Sequence, residues 1–370
     1  MEPVFPFILR LVREDDLDAI HDLSQLAKPG LTSLSKDKQV LETMIQTSVE
    51  ATLDPKPTKT PHYSYFFVLE EQISHHIVGT SRIIVNTGVN HPHYSFECSH
   101  IHRQCADHNI SVEHELLQLH SIQNGPTEIG TLFLHPNYRH SGLGKLLSLG
   151  RFLFMASFPN LVEKNIIAQL RGISSEEGIS PFWNIIGKQF FTLSFNEANE
   201  LAVKSTSLIE DLIPKHPIYT RFLPKEAQDV IGKEHPLTTP ALNLLKQEGF
   251  LKTRHIDILD AGPRLVAKTK QIRSIRESVV TELSFDDTIP LSSELSEKES
   301  TSNPPLQKQL VSGLNKKGFI AFKAIGRLNQ ENLSVSSKLK EFCQKYNLTQ
   351  IRTYPLSPLK PIKKTDKGNG

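Results

Sequence analysis

One short stretch constrains this chain more than any other: an apolar run, a proline-marked break and a glycine pair, then a second apolar run. Glu128-Ile129-Gly130-Thr131-Leu132-Phe133-Leu134 reads as a buried strand, and His135-Pro136-Asn137-Tyr138 breaks it. From Gly142 onward, Leu143, Leu146, Leu147, Phe152 and Leu153 predict a largely buried helix. Between strand and helix stands Arg139-His140-Ser141-Gly142-Leu143-Gly144, of the form R-x-x-G-x-G. Glycines let a backbone come close to a ligand, and the N–H groups at a helix start can hold phosphate oxygens, so a pyrophosphate is the natural guest. The spacing is neither that of a Walker loop nor that of a dinucleotide fingerprint. A tight turn with no ligand is the plainer alternative for the motif taken alone.

The chain has 370 residues, enough for about two domains of ~150 residues each. A hydrophobic fraction of 38% with 22% charged residues suits a soluble globular protein rather than a disordered or membrane one. A net charge of +2 demands neither nucleic acid nor an acidic lipid surface as partner. Met1 to Phe7 lacks the basic and apolar regions of a secretory signal, and no run approaches the ~20 apolar residues that span a bilayer. Three cysteines, Cys98, Cys105 and Cys343, are too few and odd in number for a disulfide framework. The cytoplasm is the expected compartment.

Before the motif the pattern predicts a strand at 7–12, a helix started by Asp15-Asp16, a helix over 40–52 and paired strands at 65–69 and 77–85. The polar, histidine-rich segment 87–125 reads as an excursion with weak secondary structure. After the motif come a strand at 166–170, a helix from Pro181 to Gly187, a strand at Phe190-Phe191-Thr192-Leu193, a helix between Thr239-Pro240 and Gly249, and a strand at 255–259.

The motif spacing resembles the coenzyme A pyrophosphate loop of acyl-CoA N-acyltransferases, and the order of elements around it matches that α+β fold, a mixed sheet flanked by helices. The resemblance places Arg139, Gly142 and Gly144 on the acyl-CoA. In that fold the thioester lies beside the motif strand, where a backbone N–H polarises its carbonyl as the amine attacks. Leu132 is the position expected to supply that main-chain contact.

Further blocks are more specific. Gly30-Leu31-Thr32-Ser33-Leu34, Thr131-Leu132-Phe133-Leu134, Arg171-Gly172 and Ser180-Pro181-Phe182-Trp183 look like arginine N-succinyltransferases. So do Pro214 to Thr220, Glu226 to Gly232 and His235-Pro236, and the resemblance runs from about residue 7 to 265. It implies succinyl transfer from succinyl-CoA to the α-amine of L-arginine, the entry to arginine breakdown, with succinyl-CoA as co-substrate and no permanently bound cofactor. The family's succinyl-CoA contact falls on Leu132 and its proton-donor histidine on His235. A histidine suits proton traffic near neutral pH. His235 capping the turn before the 239 helix is the plainer reading, and His216, in another His-Pro step, is the competing histidine. Two positions depart from the family: Gln169 and Ser175 stand where relatives usually carry acids, the natural partners of a guanidinium. Ornithine or another amine as acceptor, and a CoA-binding subunit without turnover, are the alternatives these departures raise.

The expected organisation is an acyltransferase domain over 1–195, a second α/β region over 196–283 that completes the site, a flexible linker over 284–309, a small unit over 310–357 and a disordered tail over 358–370. Small-molecule substrates and a homodimer are expected, with no nucleic-acid or membrane partner. Cys98, His100, His102, Cys105 and His108 lack the paired spacing of a zinc site, so no metal is assigned.

Overall fold

The computed structural model describes residues 7–28, 31, 33–53, 63–89, 92–139, 142–175, 177–204, 207–291, 304–315, 318–330 and 332–356. Gly30 and Thr32 of the first family block, His140-Ser141 of the glycine loop and the 358–370 tail therefore lie outside the described residues.

Its strands are β1 (Phe7–Leu11), β2 (Ser64–Glu71), β3 (Ile77–Ile84), β4 (His93–Cys105), β5 (Ile110–Ile122), β6 (Thr127–Leu134), β7 (Asn165–Gln169) and β8 (Ile218–Tyr219). There follow β9 (Leu251–Ile256), β10 (Pro263–Lys268), β11 (Val279–Asp286), β12 (Leu306–Asn315), β13 (Gly318–Leu328), β14 (Asn332–Ser336) and β15 (Gln350–Pro355). All join one mixed sheet in the order β12-β15-β11-β14-β13-β1-β2-β3-β6-β7-β10-β9-β4-β5-β8.

Period-2 alternation decides what each face of the sheet buries. In β2, Tyr65, Phe67 and Leu69 enter the main core, which also holds Leu146, Leu147, Phe152 and Leu153 of α3 (Leu143–Ser157). Phe66 and Val68 point the other way, into a core with Ile20 and Leu23 of α1 (Leu17–Gln25) and Leu41 and Ile45 of α2 (Lys38–Leu53). A strand covered on both faces reads as an unbroken apolar run, which is why this segment is so plain in sequence. A separate core gathers Phe182 and Trp183 with Phe96, Leu117 and Ile256.

At one end the sheet closes on itself. β12 pairs with β13 and β15, β15 with β11, β11 with β14, and β14 with β13, which makes a five-stranded ring around Val311, Ile320, Phe322, Leu333 and Ile351. The ring is attached to the rest through β13, whose Ala321 and Ile320 pair with Leu9 and Arg10 of β1. Strand structure reaches into both ends of the expected 284–309 linker, through β11 to Asp286 and from β12 at Leu306, and 292–303 lies outside the described residues. β11 is a full member of the ring, so the expected boundary at 283/284 falls inside one structural unit.

Two local expectations are corrected. Segment 87–125 is not weakly structured: β4 and β5 form a hairpin paired from His93↔Ile122 to Cys105↔Ile110, turned by Asn109 at φ 50°. Its histidines hid a pair of strands that enter the core through Phe96 and Leu117 and are buried on both faces there, with Ser95 and Leu116 beside them. The apolar run Phe190–Leu193 is not a strand either. Lys188–Phe191 continues the turn begun by Trp183–Gly187, and Thr192 ends it at φ 53°. Phe191 stacks on Trp183 with centroids 5.2 Å apart, and a four-residue apolar run serves strand or helix equally well until such a partner is known.

Candidate active site

The centre of the site is an irregularity in β6. Thr131 has φ 53°, rare for a β-branched residue, and the β3–β6 register shifts between Thr80↔Phe133 and Arg82↔Gly130, so a bulge occupies Thr131-Leu132. Three contacts hold it. The Thr131 N–H donates to Ser33 Oγ and Thr131 Oγ1 donates to the Ser33 carbonyl, both at 2.9 Å. Thr80 Oγ1 donates to the Thr131 carbonyl at 3.0 Å. From the helix side, buried Arg151 of α3 donates to the Gly130 carbonyl at 3.3 Å and the Arg82 carbonyl at 3.5 Å. Leu132 packs its side chain against the main core and leaves its main chain at the strand edge that faces β7.

That edge opens into a wedge. β6 and β7 run parallel and share only Thr127↔Ile166 and Glu128↔Ile167, with no further ladder pair among the described residues. β7 ends at Gln169, so among the described residues no ladder partner faces Leu132 on that edge. A cleft between the carboxyl ends of two parallel strands is where such sheets bind ligands.

The glycine loop lies at the end of β6. Arg139 is exposed; its Nε donates to the Leu134 carbonyl at 3.1 Å and its guanidinium sits 5.8 Å from the Phe133 ring centre. Gly142, at φ 69°, is the N-cap of α3. A Cβ on Gly144 would meet nothing within 4 Å among the described residues, which leaves open space beside the first turn. A Cβ on Gly142 would lie 3.6 Å from Lys323 Nζ, so β13 brings a cation from the C-terminal ring to the loop. Burial, and then the charges of Lys308 and Lys145, hold the Lys323 ammonium below the usual lysine range.

The other side of the site follows β7. The His235 N–H donates to the Arg171 carbonyl at 2.8 Å, and Gly172 and Glu234 form a β-bridge, so the His235 turn is fastened to the chain just past β7. The Leu237 N–H donates to His235 Nδ1 at 3.1 Å. The neutral ring therefore carries its proton on Nε2, which donates to the Ser174 carbonyl at 3.1 Å. His235 thus caps its turn, as His135 does by accepting from the Asn137 N–H at 3.2 Å. His216 is exposed. Asp260 braces the same corner: its carboxylate accepts from the Gly172 N–H at 2.7 Å and the Gly262 N–H at 2.9 Å. Burial, then the neighbouring Asp257, push that carboxyl above its ordinary range.

Gln169 donates from Nε2 to the Gly262 carbonyl at 2.9 Å and accepts at Oε1 from Arg264 Nε at 3.2 Å. Ser175 Oγ accepts from the Ile179 N–H at 3.2 Å and so closes the turn beside Ser174. The structure thus gathers Leu132, Gly142 and Gly144 at the end of β6, and His235, Gln169 and Ser175 at the end of β7.

The family model described as "Arginine N-succinyltransferase beta subunit" matches residues 7–274. This chain belongs to the arginine N-succinyltransferase family. It is 38% identical to the arginine N-succinyltransferase of Photorhabdus laumondii over 283 residues, 76% of this chain and 82% of that one. It is 37% identical to the Shigella dysenteriae arginine N-succinyltransferase over 277 residues, 75% of this chain and 80% of that one. The solved structure titled as arginine/ornithine succinyltransferase subunit AI from Pseudomonas aeruginosa superposes with a TM-score of 0.82 at 27% identity, covering 96% of this chain and 100% of that one. The fold is therefore the expected acyl-CoA N-acyltransferase one, a mixed sheet flanked by helices. Sequence reasoning missed Ser33 as the bulge clamp, Arg151, Lys323, Asp260 and Arg264. Only the Ser33 block carried any signal in sequence, as part of the family resemblance.

Proposed function

We propose that the protein is a succinyl-CoA:arginine N-succinyltransferase that acts by direct attack in a ternary complex. The single observation that carries this reading is the wedge between β6 and β7, bulged at Thr131-Leu132 and closed by the glycine loop, in a chain 37–38% identical to arginine N-succinyltransferases. In this reading Gly142, Gly144, the α3 start and Arg139 receive the pyrophosphate of succinyl-CoA, and the Leu132 main chain faces the thioester carbonyl. The unprotonated α-amine forms the N–C bond, the C–S bond breaks, and the proton lost by nitrogen ends on the departing thiolate. His235 is the proposed carrier of that proton, and to act it must exchange the Ser174 carbonyl for substrate.

A second reading keeps the chemistry and changes the acceptor to ornithine or another amine. It is favoured by Gln169, which stands where an acid would grip a guanidinium and whose two polar atoms are engaged by Gly262 and Arg264. We further propose a cytoplasmic homodimer, to be checked by the solution mass; among the described residues no helix is long and apolar enough to cross a membrane.

The test is thiol release from succinyl-CoA with arginine, ornithine and lysine as acceptors, on the wild type and on His235→Asn and His235→Ala. Asparagine can keep the cap, because its side-chain oxygen accepts from a backbone N–H two residues on, but it cannot carry a proton. If His235 moves the proton, both variants lose about 10²–10⁴-fold in kcat, and the asparagine form stays as stable as the wild type. An asparagine variant with full activity would reduce His235 to a cap. CoA binding with no release from any amine would mark a subunit without turnover.

A further inference from the structure

Arg264 is a buried cation that the reaction scheme above leaves unused. It stands on β10 opposite Gln169 of β7. Its neighbour Leu265 enters the core under α3, so by strand alternation Arg264 points to the other face of the sheet. Glu128 and Gly130 share that face, since Ile129 between them also enters the core under α3, and Ser33 lies 3.6 Å from where a Gly130 side chain would start. Arg264 is only 1% exposed. Its Nε is satisfied by Gln169, but Nη1 and Nη2 donate to no acceptor among the described residues. Glu128 and Asp257 act on it only at a distance and form no ion pair with it; Asp257 Oδ1 instead accepts from the N–H groups of Leu259 and Asp260. His93 and His255 on the adjoining strands are held below the ordinary histidine range, by burial first and with Arg264 among the charges that contribute.

A guanidinium kept out of water with two idle N–H edges is unfavourable unless an acceptor arrives. Its planar fork matches a carboxylate in two parallel hydrogen bonds. β10 lies two strands from the bulged strand in the sheet, and Arg264 projects on the face that carries Ser33.

We propose that the Nη edge of Arg264, aimed by Gln169, is a carboxylate receptor of the active site. Under the proposed reaction, on which this inference rests, two carboxylates qualify: the free end of the succinyl group and the α-carboxylate of the amino-acid acceptor. A cationic side-chain end is excluded from this position by like charge.

The experiment measures binding by titration calorimetry on the full chain, so that it reads the receptor whether or not the enzyme turns over. Succinyl-CoA is compared with butyryl-CoA, which has the same length without the carboxylate, and L-arginine with L-argininamide. Arg264→Gln is expected to weaken one carboxylate-bearing ligand about 10- to 100-fold while its carboxylate-free counterpart is unchanged. Loss confined to succinyl-CoA assigns the acyl end; loss confined to arginine assigns the acceptor. Equal loss for all ligands, or none, overturns the proposal and leaves Arg264 a structural cation. Should Arg264→Gln fail to fold, Arg264→Lys retains the charge without the fork. It is then expected to show a smaller loss, about 3- to 10-fold, with the same selectivity, and unchanged ratios overturn the idea. Failure of the wild type to turn over succinyl-CoA with any amine refutes the function and leaves the binding comparison readable.

Discussion

Gly142 and Gly144 do different work within three residues. Gly142 adopts φ 69°, which an alanine enters only with strain, so its substitution acts on the fold. Gly144 faces open space, and an added methyl meets nothing within 4 Å among the described residues. Gly144→Ala is therefore expected to fold as well as the wild type or better, by up to about 0.5–1 kcal/mol from helix propensity alone. If the space is the phosphate seat, the same variant raises the KM for succinyl-CoA about tenfold with little change in kcat. Thermal denaturation beside initial-rate kinetics separates the two effects, and an unchanged KM would move the pyrophosphate elsewhere. The sequence showed the glycine pair but could not show which member was conformational. That distinction lives in one dihedral angle and in the emptiness around one carbon.

At the scale of elements, the bulge in β6 depends on α3. Where a strand pair shifts register its carbonyls lose their ladder partners, and here the Gly130 and Arg82 carbonyls receive Arg151 instead. Burial alone drives the Arg151 guanidinium below its ordinary range, so its hydrogen bonds must offset a real desolvation cost. Arg151→Met keeps most of the volume and removes the donors. The expected loss is about 2–3 kcal/mol in urea denaturation, with a raised KM for the acyl donor. A loss below about 0.5 kcal/mol would show that Ser33 and Thr80 hold the bulge unaided. Nothing in Glu128 to Leu134 announces a bulge, because Thr131 is a good strand residue and its positive φ is imposed from three other elements.

For the whole molecule, the β4–β5 hairpin, β9 and β10 meet around histidines that fold neutral. His255, its ring centre 4.7 Å from that of His120 in a tilted contact and hydrogen-bonded with Ser95 at 3.3 Å, is pushed down to about 4, by burial first and then by Arg264. His93 is lowered as well. A lowered histidine binds its proton more weakly folded than unfolded, so stability is full above the unfolded value near 6.5 and declines as pH falls from there toward 4. His255 is partly exposed, and after screening its share is on the order of 1 kcal/mol. His255→Gln should flatten the fall of Tm between pH 6.5 and 4, and a parallel shift of the whole curve would assign the acid sensitivity elsewhere. What the sequence by itself determined was local: the strand–break–helix motif, the doubly covered run of β2, the helix that ends at Gly249 with φ 98°, and the family blocks. Each rests on a period or a turn preference set by neighbours a few residues apart. Only the tertiary structure decided that Ser33 clamps Thr131, that Gln169 meets Arg264, that β13 carries Lys323 to the glycine loop, and that five C-terminal strands close a ring. The side-chain pairs among these lie from about 90 to about 180 positions apart, and no local preference encodes them. They form when the sheet brings its strands together and leaves each buried polar group to find the partner then within reach.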